Sequence, residues 1–203
     1  MTTPSWAPLP ARRAVLADVL TARLGASPLA RDAALVAAAA GLTGLAAQVA
    51  IPLPFTPVPL TMQTFAVLVT AAALGWARGL ASMALYALLG MAGVPWFAEG
   101  ASGVGGPTFG YVVGFVLAAG VVGAVARRGA TRTAAGTALA MVAGTLAVYA
   151  VGVPWLAATT PLDLAGAAYD GAVVFLAGDA VKALAAAGLL PAAWALVERA
   201  HRR

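Results

Sequence analysis

Asp179 and Lys182 stand three positions apart in GDAVKALA, inside an apolar run, and Lys182 is the only lysine among 203 residues. On a helix, positions i and i+3 share a face, about 4.5 Å apart along the axis. An acid and a base so placed can neutralise each other. They can equally present one carboxylate acceptor and one ammonium donor to a small polar solute that carries N–H donors and acceptor oxygens. In hydrocarbon each charge costs about 2.5–3.5 kcal/mol on insertion scales, so such groups persist where they have partners and face a bundle interior or a wet cavity.

Other reactive chemistry is scarce. Cysteine is absent, which excludes disulfides and thiolate metal sites. The single histidine, His201, lies in the basic end of the chain, so the apolar segments hold neither His nor Cys to bind a metal or activate a nucleophile. Ser102 in GASGVGGP lacks the spacing of a nucleophile elbow. Lys182 has no GxxxxGK context, so ATP-driven work would belong to another chain. No catalytic or metal-binding residue is predicted, and the chain is not expected to be an enzyme.

The elements that position the pair follow from composition. Of the residues, 62% are hydrophobic and 9% charged, against about 25% charged in soluble domains. Apolar residues run on without the alternation of barrel strands, which predicts an all-α integral membrane protein. Charges and Pro/Gly clusters divide the chain into six spans: Ala33–Ile51, Thr61–Trp76, Gly79–Gly93, Phe109–Ala126, Thr133–Val153 and Ala172–Val197. The expected organisation is a cytoplasmic lead-in over 1–32, a membrane domain over 33–198 and a basic tail over 199–203. The lead-in contains PARRAVLADVLTARL, where Asp18 and Arg23 break any cleavable signal core. Its arginines mix with Val15, Leu16, Val19 and Leu20 on a helical wheel, unlike a clean amphipathic anchor.

All eleven arginines fall on the side of the termini in this scheme, while the opposite connections carry only Glu99, Asp163 and Asp170. Positive charge stays cytoplasmic, so both termini are predicted inside. The net charge of +5 needs no nucleic acid to explain it. With this orientation Lys182 lies further inward than Asp179, which argues against its snorkelling to a headgroup.

Two outer connections stand out. IPLPFTPVPLT carries Pro52, Pro54, Pro57 and Pro59, which stiffen it and prevent helix continuation. Gly93–Pro107 is glycine-rich, so its backbone can hinge or approach a ligand closely. Thr61 and Gln63 open span two, and Thr108 and Tyr111 open span four, at the same outer level as Asp179. Each alone suits a cap or a packing group; together they suggest a cup. Trp96 and Phe97 could stack on a ring, although Trp96 also suits an interfacial belt. In span one Ala33, Ala34, Ala37, Ala38 and Gly41 recur at four-residue spacing, and Gly136, Ala140 and Gly144 do so in span five, letting helices approach closely.

The strings IPLPFTPVPLTMQTFAV, GVPWFAEGASGVGGPTFGYVVGF and GDAVK resemble the biotin-specific substrate-binding subunit of energy-coupling-factor transporters, the BioY family, from about Ala33 to Leu190. The resemblance implies six helices with outer loops one and three capping an outward-facing vitamin site. The acid and lysine of the family's GD-x-x-K motif fall on Asp179 and Lys182. It implies biotin as transported ligand, no cofactor of its own, and a bacterial cell membrane. It also implies a membrane coupling protein and two ATPase subunits as partners, docking on an alanine stripe that Ala33, Ala34, Ala37, Ala38 and Gly41 match in character. Trp96, Glu99 and Phe109 depart from the family pattern. The alternative is a stand-alone or proton-coupled secondary carrier with Asp179 taking the proton. Against it stand the lack of a second ionisable group in the bundle and of an inverted repeat.

Overall fold

A computed structural model describes residues 14–22, 25 and 27–201. Its first element is a single short helix, α1 (Leu16–Leu20), whose Leu16 and Ala17 are buried together with Val15 just before it. Asp18 closes this turn by accepting from the Val15 amide at 3.1 Å. Part of the expected lead-in therefore packs on the bundle. With the helix ending at Leu20, three contiguous apolar residues suffice to seat it, and no long amphipathic face is required. Arg12, Arg13 and Arg23 lie outside the described residues.

Helix α2 (Pro28–Ala47) starts ahead of the predicted Ala33. Ser27 caps it by accepting from Ala30 N, and Pro28 takes the first helical position, where an N–H has no intrahelical partner. A small antiparallel ladder follows, β1 (Ala50–Ile51) on β2 (Leu60–Thr61), pairing Ala50 with Thr61 and Ile51 with Leu60. The all-α expectation misses this ladder. The prolines forbid helix, and the residues flanking them are free to pair.

Helices α3 (Gln63–Leu74) and α4 (Trp76–Met91) meet at Gly75, whose φ of 81° favours glycine. The chain thus turns just before Arg78, which sits inside α4. Gly123 lets helix α5 (Phe109–Arg127) press on that turn, since a Cβ there would lie 2.4 Å from Trp76 N. Helix α6 (Ala134–Thr159) follows, capped by Thr133, then α7 (Leu164–Gly171), capped by Asp163, and α8 (Leu176–His201).

Two later boundaries differ from expectation more widely. Span five was to stop at Val153, yet α6 continues through Pro154. Proline removes one backbone donor, but Leu156 beyond it is fully buried, and Trp155 packs on Phe109 and donates to Gly106 O at 3.1 Å. Packing outweighs the lost bond. Span six was to begin at Ala172, but α7 and a single 3-10 turn (Val173–Phe175) precede α8.

Among the described residues four helical stretches are long and apolar enough to cross a membrane: α2, α5, α6 and Leu164–Ala200. Helices α3 and α4, expected as spans two and three, have 12 and 16 residues. At about 1.5 Å per residue both fall short of a hydrocarbon core of ~30 Å. The core is a contiguous cluster including Val67, Met83, Tyr86, Val122, Val148 and Leu156. Gly144 takes the side chains of Leu68 and Val122 where a Cβ would clash, so the small residues of α6 face the bundle.

The two ends of the bundle differ. At one, Arg78 bridges Asp18 at 2.6 Å and Asp32 at 3.0 Å, and Arg132 pairs with Glu198 at 3.1 Å while lying over the Trp194 ring. At the other lie the ladder, the glycine-rich connection, and the first turns of α3, α5 and α8.

Candidate functional site

A cavity of about 580 Å³, counted out to its open mouth, lies at that second end. Its rim is built by the two stiff or glycine-rich connections. The proline segment contributes Val58, Pro59, Leu60 and Thr61. Its tip is tied down by Thr56, whose hydroxyl donates to Asp170 O at 2.7 Å and accepts from Val58 N. The glycine-rich segment contributes Phe97 and Ala98. The far end of the Phe97 ring packs on Gly90, where a Cβ would come within 2.1 Å of its Cζ. Gln48 Nε2 holds the carbonyls of Trp96 and Phe97, each at 3.3 Å, and Glu99 takes a left-handed φ of 58° to turn the chain back.

The wall comes from helix starts. Gln63 donates to the Tyr86 hydroxyl at 2.7 Å and accepts from Thr61, and Tyr86 in turn donates to Trp96 O at 3.1 Å. Tyr111 spends its hydroxyl on Gly171 O at 2.9 Å and offers the cavity its ring, with Phe115 and Phe175 beside it. Thr108, just ahead of α5, also lines the space.

On the wall stand Asp179 and Lys182, their side chains 11% and 14% exposed and their charged atoms 3.5 Å apart. Neither relies on the other alone. Tyr149 of α6 donates to Asp179 Oδ2, and Lys182 Nζ donates to Thr64 Oγ1 at 2.7 Å. An ammonium has three donors and an ionised carboxylate about four lone-pair sites, so both retain capacity toward the cavity. The arrangement offers a paired donor and acceptor set among aromatic and aliphatic surfaces.

Of the residues singled out from sequence, Asp179, Lys182, Gln63, Thr61, Thr108, Tyr111 and Phe97 all line this cavity. Trp96 does not. Its indole lies between α2 and α4, against Gly44, with the ring 5.0 Å from Tyr86 and Nε1 donating to Tyr86 O at 3.0 Å. Phe97 is extended, and consecutive residues of extended chain point to opposite sides, so only one of the two rings can face the cavity. Ala33, Ala34, Ala37 and Ala38 are exposed, and nothing lies near the position a Cβ would take at Gly41. Ala40, Thr43, Gly44 and Ala47 face the bundle instead, so the predicted stripe is an outer face of α2.

Tyr149 and Thr64 escaped the sequence reading. Tyr149 is a hydroxyl-bearing ring in an apolar span, which is the signal that could have found it. Thr64 adjoins Gln63, but only the crossing of α3 and α8 reveals that it meets Lys182.

Comparison with known proteins agrees with this architecture. A protein called "probable biotin transporter BioY" from Pyrococcus horikoshii is 34% identical over 160 residues, 77% of this chain and 92% of that one. Another of the same description from Lysinibacillus sphaericus is 38% identical over 124 residues, 60% of this chain and 62% of that one. The crystal structure of the S-component for biotin from an ECF-type ABC transporter superposes with a TM-score of 0.71 at 21% identity, over 86% of this chain and 93% of that one. The last likeness establishes the fold of this helical, multi-pass membrane protein. The model of the BioY family matches residues 14–199, nearly the whole chain, and the protein belongs to that family.

Proposed function

We propose that this chain is a high-affinity biotin-binding membrane subunit, a transport protein and not an enzyme, energised by a separate membrane coupling protein and two ATPases. The observation that carries the reading is the Asp179–Lys182 pair, set with Thr61, Gln63 and Thr108 around a cavity otherwise walled by rings and aliphatic groups, in a BioY chain. Biotin is an apolar bicycle with a ureido group and a carboxylate tail. Asp179 suits the ureido N–H groups, Lys182 suits an oxygen, and Phe97, Tyr111, Phe115 and Phe175 suit the bicycle.

The bundle crosses the membrane six times, with α3 and α4 as a short pair between α2 and α5. The two outer connections cap the site, and both termini are cytoplasmic. Supporting this, among the described residues Arg31, Arg78, Arg127, Arg128 and Arg132 lie at the end opposite the cavity, as a cytoplasmic surface requires. The exposed small-residue face of α2, with Ala33, Ala34, Ala37, Ala38 and Gly41, is where the coupling protein docks, because small side chains let another helix approach closely.

The deciding experiment is calorimetric titration of the full chain in lipid discs, with neither ATP nor partner subunits. Biotin is expected to bind, and vitamins without a ureido ring to compete poorly. Binding that requires the ATPases, or equal binding of unrelated vitamins, contradicts the proposal.

A further inference from the structure

The longest of the three contacts around the charged pair is the one between the charges. Asp179 and Lys182 stand 3.5 Å apart, whereas Lys182 reaches Thr64 on α3 at 2.7 Å, and Asp179 takes a hydrogen bond from Tyr149 on α6. A pair meant only to neutralise itself would close to direct hydrogen bonding. Here one neutral hydroxyl from another helix holds each ion. The contacts also divide the carboxylate: Tyr149 occupies Oδ2, while Oδ1 faces Lys182. The terminal torsion of an aspartate is broad, so a free Asp179 would sample many orientations of its two oxygens. With Oδ2 tethered from α6, the plane of the carboxylate is set before any ligand arrives.

Resting on the biotin reading above, we infer that Tyr149 is a positioning residue. It acts through Asp179, orienting Oδ1 as the acceptor for the ureido N–H of biotin, and its own hydroxyl makes no contact with the ligand. Pre-setting an acceptor removes an ordering cost at the moment of binding. Tyr149 thus raises affinity through the geometry of a neighbour.

The test is a double-mutant cycle on the full chain in lipid discs, reading biotin affinity and the unfolding midpoint without ligand. Tyr149→Phe keeps the ring and is expected to weaken biotin about 10- to 30-fold, the lower part of the range for a hydrogen bond to a charged group because it acts through a neighbour, with the midpoint unmoved. In an Asp179→Asn background the same change should shift affinity by less than about twofold, because the group it acts through is already altered. Tyr149→Gln, whose shorter side chain stops short of Asp179, should lose affinity as the Phe chain does. Unchanged affinity in Tyr149→Phe, or an equal further loss on top of Asp179→Asn, overturns the inference; the second result would mean that Tyr149 touches biotin directly. Should Tyr149→Phe not be recovered folded, Tyr149→Gln alone must weaken biotin about 10-fold or more, and native affinity there overturns it. Asp179→Asn with native affinity removes the biotin reading of the pair as well, whereas loss there with an intact Tyr149→Phe removes only the positioning role.

Discussion

Arg78 and Lys182 are both cations held by aspartates in a largely apolar bundle, yet they are built for different ends. Arg78 draws together segments far apart in the chain, bridging Asp18 of α1 and Asp32 of α2 from its place in α4. Arg31 adds a second cation to Asp32 at 3.5 Å, so two arginines meet two aspartates. The planar guanidinium suits this, since its fork of donors can serve two carboxylates at once. Lys182 pairs with an aspartate of its own helix, which joins no separate segments, and its shortest contact is to a neutral threonine. A cluster that spans elements and satisfies its charges among them is a clasp. A pair that faces a cavity with hydrogen-bonding capacity left over is a receptor. Ion pairs by themselves are weak guides to stability; what surrounds them tells which role they play.

The comparison breaks most clearly at Lys182. Replacing both members, Asp179→Asn with Lys182→Met, should lower biotin affinity by more than about 100-fold while leaving the unfolding midpoint close to native, and each single change should give about 10- to 150-fold. Calorimetry alongside a thermal scan reads both. Native affinity in the double variant would make the pair structural and erase the distinction. Arg78→Ala sharpens the other side. It leaves Asp18 with the Val15 amide and Asp32 with Arg31 alone, so stability should fall by about 1 kcal/mol, seen as an earlier unfolding transition, with biotin affinity held within about twofold for a site so distant. A large loss of affinity there would mean that the clasp also shapes the cavity. The smallest effect on the isolated chain is expected from Ala38→Leu on the outer face of α2. Affinity and midpoint should both stay native, while uptake in cells that supply the coupling protein and ATPases falls. An unstable Ala38→Leu chain would return that face to the bundle.

Composition alone determined the medium, because so few charges cannot cover a surface in water. Spacing determined the pair, since i and i+3 share a helix face whatever the helix packs against. The polar residues at the starts of α3 and α5 were legible for a related reason: once the arginines mark one end of the bundle, those starts and Asp179 must gather at the other. Tertiary structure decided the rest. That Trp96 turns away while Phe97 lines the cavity depends on extended backbone beside Gly90, and that α6 runs through Pro154 depends on where Trp155 and Leu156 pack. Likewise α1 docks because three apolar residues find a partner surface, which no periodicity over five residues announces. Tyr149 and Thr64 reach the charged pair only because α6 and α3 cross α8 at that height. Periodicity says which face of a helix is apolar, but which distant helix meets that face is set by how the side chains of both interlock.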